Sequence, residues 1–193
     1  MTARSIDDII ERVEAYSKSI VREKAKEYDR LEVFPEETFR HLADLGVLRI
    51  PFNRLDGGLE GTVQDILQVI RMVSRECAST ASGLLTQLSF GILPIYCFGT
   101  DAQKRRCLPS MLAGETLGAF ALNEMESGND LSKMKTVAIE KDDGWELSGT
   151  KDFISHAGIA DFYSVAARTI STDGTKSFGI FLVRPEMNGV TIG

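Results

Sequence analysis

The stretch Thr136-Val137-Ala138-Ile139-Glu140-Lys141-Asp142-Asp143-Gly144-Trp145-Glu146-Leu147-Ser148 decides the fold class. Asp143-Gly144 sits between two strand-like runs within 136–155, and Asp-Gly supplies the positive φ that a tight hairpin turn needs. Further on, Asp173-Gly174 carries the same signal between β-rich segments at 162–169 and 177–183. Two successive hairpins predict an antiparallel, barrel-like β-domain in the second half of the chain.

Upstream the period changes from two to between three and four. Ile6, Ile9, Ile10, Val13, Tyr16 and Ile20 recur at helical steps behind a Ser5–Asp8 start. A second helix follows Pro35, sets Phe39, Leu42 and Leu45 on one face, and stops at Gly46. Residues 51–61 are rich in glycine and read as a loop. A third helix starts near Thr62 with Val63, Ile66, Leu67, Ile70 and Val73. A fourth, over 78–96, is apolar nearly all round, as the central helix of a bundle is. Thr100 and Gln103 have capping-box spacing for a helix over 101–112. The period changes near Gly114. The expected class is therefore α+β: an α-helical bundle over residues 1–114, then an antiparallel β-barrel-like domain over 115–193.

Composition removes other classes. The net charge is −6 with no Lys/Arg block, which argues against nucleic acid as a partner. No apolar run approaches the roughly 18–20 residues of a membrane span, so none is expected. The charged, periodic start over 1–20 is unlike a signal peptide, and a cytoplasmic protein is the expectation. Cys77, Cys97 and Cys107 are odd in number and far apart, and with only His41 and His156 no metal site is expected. The final Val190-Thr191-Ile192-Gly193 reads as a strand or its entry, which leads us to expect an incomplete polypeptide or one that relies on a partner.

Three stretches, in order, carry a resemblance to the acyl-CoA dehydrogenase family. Phe98-Gly99-Thr100-Asp101-Ala102-Gln103-Lys104, with Leu108-Pro109 and Ala113-Gly114-Glu115 after it, resembles the close of that family's helical domain. The run Gly118-Ala119-Phe120-Ala121-Leu122-Asn123-Glu124-Met125-Glu126-Ser127-Gly128-Asn129-Asp130 is similar to its flavin-binding signature. The run from Leu147 to Asp161, through Gly149, Lys151, Phe153, Ile154, Ser155 and His156, resembles a third family motif. Together with the helical pattern upstream, the resemblance covers essentially the whole chain.

The resemblance implies FAD as cofactor and α,β-dehydrogenation of an acyl thioester, carried by CoA or by an acyl carrier protein. It also implies an electron acceptor such as an electron-transfer flavoprotein, and a homo-oligomer. The implied cofactor-binding residues are Phe120, Leu122, Asn123, Gly128, Asn129, Phe153, Ile154 and Ser155. Phe120 to Asn123 run along the pyrimidine edge of the flavin. Phe153 packs on the dimethylbenzene side, and the Ser155 hydroxyl donates to N5. Gly128 and Asn129 approach the pyrophosphate, where glycine permits close backbone contact. No catalytic residue is assigned, because the family's glutamate base comes from a later helical domain. The chain alone is therefore expected to be inactive.

This sequence departs from the family at five positions. Asn123 stands for Ser/Thr, Met125 for Pro, Asn129 for Ser, Phe153 for Trp and His156 for Asn. These changes count against a routine role in fatty-acid β-oxidation, and a biosynthetic member fits equally well. A non-catalytic binding or assembly paralogue and a flavin-dependent monooxygenase remain as alternatives. Each residue also has a plain structural reading. Phe120, Leu122, Phe153 and Ile154 alternate as strand core, Gly149 and Lys151 are turn and surface positions, and His156 is a loop histidine. Glu124 and Glu126, two apart on a strand, point to one face. Glu124 reads as structural rather than as the base.

Overall fold

The computed structural model describes residues 5–193, so Met1 to Arg4 of the charged start lie outside the described residues. The chain divides into two compact units between Thr116 and Leu117.

In the first unit, α1 (Ile6–Tyr16) and α2 (Arg22–Leu31) join through a π-helical turn at Ser17–Val21. The Ser5 hydroxyl accepts from the Asp8 N–H at 3.2 Å and caps α1. Helix α3 (Glu36–Asp44) follows Pro35, and Gly46 turns the chain at φ +102°, where a side chain would be strained. Helix α4 (Val63–Glu76) starts with a reciprocal capping box between Thr62 and Asp65. Then α5 (Ala78–Thr86), a π-helical segment (Gln87–Ile92) and α6 (Leu93–Phe98) run on as one helix. The widening precedes Pro94, which has no N–H for the carbonyl four residues back and crowds it. Helix α7 (Asp101–Leu112) carries the expected Thr100–Gln103 capping box. The core is apolar, with Val13, Leu42, Leu48, Val69, Val73, Leu84, Ile92 and Met111 all sealed from solvent. Gln87, buried among them, gives its amide N–H to the Thr116 carbonyl at 2.9 Å.

The helix Ala78–Phe98 corrects one expectation. Its 21 residues, with a mean hydropathy of 1.4 in the most apolar window, meet the length and composition of a membrane span. Half of that window is buried within the structure, as in the central helix of a bundle. Ser79, Thr80, Ser82, Thr86 and Ser89 interrupt the apolar run in the sequence without interrupting the helix.

The second unit is one sheet of five strands: β1 (Gly118–Ala121), β2 (Val137–Lys141), β3 (Gly144–Ser148), β4 (Phe162–Ile170) and β5 (Lys176–Val183). Both expected hairpins form, β2 with β3 and β4 with β5. In the first, Lys141 pairs with Gly144, so Asp142 and Asp143 make the turn and Gly144 opens the return strand. β4 is the spine. β5 covers one of its edges, while β1 and β2 lie end to end along the other, both parallel to it. The antiparallel barrel is therefore overturned: the sheet is mixed and open. Hairpin turns are local signals, whereas the pairing of Gly118 with Phe162 joins residues far apart in sequence and leaves no mark in either segment.

Candidate cofactor site

Two loops flank the exit of β1. The first is 122–130. Glu124 and Ser127 exchange backbone hydrogen bonds at 2.8 and 3.0 Å, so Met125 and Glu126 form a tight protruding turn. Ser127 Oγ donates to the Asp130 carbonyl at 3.1 Å and closes its far side. The second loop runs from 149 to 161. Phe153 and His156 are both left-handed there, at φ 57° and 66°. That conformation is costly for bulky residues and clusters at functional sites.

Several contacts stitch the loops together. The Asp152 N–H donates to the Asn123 carbonyl at 2.9 Å, and the Met125 N–H donates to Asp152 Oδ2 at 2.9 Å. The Lys151 ammonium donates to the Leu122 carbonyl at 3.0 Å and to Glu124 Oε1 at 2.9 Å. Leu117 and Asp161 bond twice, through Leu117 N–H to Asp161 Oδ2 and Asp161 N–H to the Leu117 carbonyl. His156 Nδ1 lies 3.2 Å from the Gly118 carbonyl, which can only accept, so Nδ1 carries the proton. Burial holds the His156 pKa below its ordinary value, against the opposing effect of that bond.

Glu124 is the centre of this arrangement. Its carboxylate accepts from the Lys135 N–H (2.6 Å), the Thr136 N–H (3.0 Å), the Thr136 hydroxyl (2.5 Å) and Lys151. Burial acts to raise its pKa, but the hydroxyl, ammonium and backbone donors outweigh burial and hold it at about 2. A carboxylate so saturated cannot take a proton from substrate near neutral pH, in keeping with its structural reading. Glu126 does not share its face. It is exposed and pairs with Lys135 at 2.7 Å. Lys151 is corrected from a surface position: its side chain is only 9% exposed. Gly149 is corrected too. A Cβ there would sit 2.4 Å from Thr136 Oγ1 and 2.7 Å from Thr136 Cα, so glycine is required by close approach.

The residues singled out from sequence divide by position. Phe120 is in β1 and half-buried. Leu122 follows it, with its carbonyl held by Lys151. Phe153 and Ile154 are not in a strand, as their alternation suggested, but in the second loop. Ile154 packs on the cluster Ala119, Ala121, Ala160 and Tyr163, while Phe153 is 79% exposed. Both line a cavity of about 590 Å³ with Lys151, Tyr163 and Val165, walled by Gly189–Gly193. Phe120, Leu122, Asn123, Gly128, Asn129 and Ser155 do not line it. Asn123, Gly128, Asn129 and Ser155 are exposed. No group among the described residues bonds to the Asn123 side chain or the Ser155 hydroxyl. A Cβ at Gly128 would meet nothing within 4 Å, so the chain's own packing does not demand this glycine. An amide, a hydroxyl, an exposed aromatic ring in a left-handed turn and an unforced glycine, all on stitched loops, suit a large flat ligand with polar edges.

Residues 5–115 match the family model "Acyl-CoA dehydrogenase, N-terminal domain", and residues 119–193 match "Acyl-CoA dehydrogenase, middle domain". The chain belongs to the acyl-CoA dehydrogenase family. It is 32% identical over 181 residues to a short-chain specific acyl-CoA dehydrogenase of Clostridium acetobutylicum, covering 94% of this chain and 48% of that protein. It is 35% identical over 173 residues to an acryloyl-CoA reductase (NADH) of Anaerotignum propionicum, covering 88% and 43%. Among solved structures, butyryl-CoA dehydrogenase from Megasphaera elsdenii superposes with a TM-score of 0.87 at 29% identity, covering 98% of this chain and 51% of that one. A glutaryl-CoA dehydrogenase from Mycobacterium smegmatis, in complex with FADH2, gives 0.85 at 25% identity, covering 95% and 46%. The chain spans about half the length of the curated acyl-CoA dehydrogenases it matches.

Proposed function

We propose that this chain holds FAD and forms part of an enzyme that dehydrogenates an acyl thioester between its α and β carbons. The stitched loops carry the reading. They display the Asn123 amide, the Ser155 hydroxyl and the Phe153 ring, with no partner among the described residues for the two polar groups. The bound FAD supplies a hydride acceptor for the β-hydrogen. Ser155 Oγ donates a hydrogen bond to the flavin and Phe153 packs against its apolar end. The carbonyls of Leu122 and Asn123 are already engaged, so the first loop offers N–H donors and the Asn123 amide. Gly128 and Asn129 take the pyrophosphate side. Glu124 is saturated and takes no proton, so within this reading the α-proton goes to another carboxylate, which the family resemblance puts in a later helical domain. The thioester is borne by CoA or an acyl carrier protein, electrons pass to an electron-transfer flavoprotein, and the working protein is a homo-oligomer.

The test is a visible absorption titration of the chain with FAD, alongside Ser155→Ala and Phe153→Ala. A perturbed flavin band, weakened in both variants, is the expected outcome. A flavin spectrum unchanged by a folded wild-type chain overturns the reading.

A further inference from the structure

We propose that Glu124 and Lys151 are a positioning pair that sets the two loops for the cofactor without touching it. The inference rests on the flavin reading for its purpose, but its geometry stands on its own. The two side chains are 7% and 9% exposed, and their 2.9 Å contact is sealed. One ammonium bridges Glu124 Oε1 and the Leu122 carbonyl, so it fixes the backbone on either side of Asn123. The same carboxylate grips Lys135 and Thr136 at the entry to β2. Thr136 is the residue on which Gly149 lies, so the second loop is pressed against the hydroxyl that holds the first. Lys151 is two residues from Phe153 and four from Ser155. Removing one charge leaves the other buried and unpaired, and that cost falls on the loops.

Lys151→Met keeps the apolar stem and removes the ammonium, whereas Glu124→Gln keeps the shape and removes the negative charge. Hydrogen exchange of the chain without FAD is the first measurement. Exchange at 122–125 and 149–157 rises at least tenfold in both variants, while the β4–β5 amides stay protected. Unchanged loop exchange overturns the proposal whether or not FAD binds. The second measurement is the FAD dissociation constant, which rises at least tenfold in both variants, together with the midpoint potential of the bound flavin. The pair is neutral, so Glu124→Gln leaves a net positive charge and raises the potential, while Lys151→Met leaves a negative one and lowers it. A merely structural defect does not produce shifts of opposite sign. Wild-type binding with unaltered constants and potentials in the variants also overturns the pair. A wild-type chain that binds no FAD sinks the functional reading instead, and the exchange data then decide the pair alone.

Discussion

Acid should remove stability from the sheet unit through Glu124, and Glu124→Gln isolates the effect. The carboxyl titrates at about 2 in the folded chain against 4.5 for the free group. That difference of about 2.5 units corresponds to about 3 kcal/mol at about 1.4 kcal/mol per unit, an upper figure because the side chain keeps some solvent contact. Between pH 4.5 and pH 2 the unfolded chain holds a proton that the folded chain does not. The stabilisation is therefore complete above pH 4.5 and is lost as the pH falls toward 2. Glutamine has no such titration. Its NH₂ must also face a donor, which adds a cost independent of pH. The quantity to follow is thus the wild-type minus variant difference, which is flat from pH 7 to pH 5 and then shrinks by up to about 1.4 kcal/mol per pH unit. Asp130 and Asp173 are also held below their ordinary values, through bonds to Ser132 and Thr175, but both proteins share them and they cancel. Urea unfolding followed by Trp145 fluorescence is the assay. Trp145 is the only tryptophan, lies on β3 and packs on Phe181 with ring centres 5.4 Å apart, so it reports on the sheet unit rather than the helices. A stability difference that stays constant from pH 5 to pH 2.5 refutes the reasoning.

Gly149→Ala should cost about 1–3 kcal/mol by the same fluorescence assay, because its Cβ meets Thr136 at 2.4 Å. Gly128→Ala, with open space around its Cβ, should change stability by less than about 0.5 kcal/mol yet weaken FAD in the absorption titration. In the helical unit, Thr100→Ala removes the acceptor for the Gln103 N–H and should cost about 1 kcal/mol, read as a lower Tm by circular dichroism at 222 nm. Ile92→Ala, at a fully buried position, should cost about 2–5 kcal/mol by the same measurement.

The parts of this fold that were legible in the sequence are those whose cause is local. The Asp-Gly pairs marked both hairpins, but only Gly174, at φ +83°, meets a turn's φ requirement; in the first hairpin Asp142 and Asp143 make the turn and Gly144 opens the strand. Thr100 and Gln103 marked the start of α7 because a capping box closes within three residues. The parallel pairings of β1 and β2 with β4 were not legible, since nothing in Gly118–Ala121 names Phe162–Val165 as its partner. Phe153 and Ile154 imitated a strand by alternation alone, and the left-handed φ at Phe153 breaks that period. Lys151 was missed for a different reason. A lysine between Thr150 and Asp152 reads as surface, and its partner Glu124 is 27 residues away. One signal was available: Glu124 and Lys151 are opposite charges at positions that match two family motifs.

The departures from the family pattern acquire a physical meaning from the loop contacts. Met125 stands where the family has proline, and its N–H is the donor to Asp152 Oδ2. Proline has no N–H and cannot make that bond. Asp152 in turn binds the carbonyl of Asn123, so the change at 125 adds a stitch next to another altered residue. His156 stands where the family has asparagine, a residue more at ease in the left-handed region. Its ring bonds the Gly118 carbonyl and holds the turn that asparagine would adopt more readily. Two of the five departures thus exchange intrinsic backbone preference for side-chain and backbone contacts that tie the second loop to the first. A chain losing its cofactor site by drift would have no reason to keep both loops stitched, two residues left-handed, and Asn123 and Ser155 turned outward. These features together favour retained cofactor binding over a merely scaffolding role.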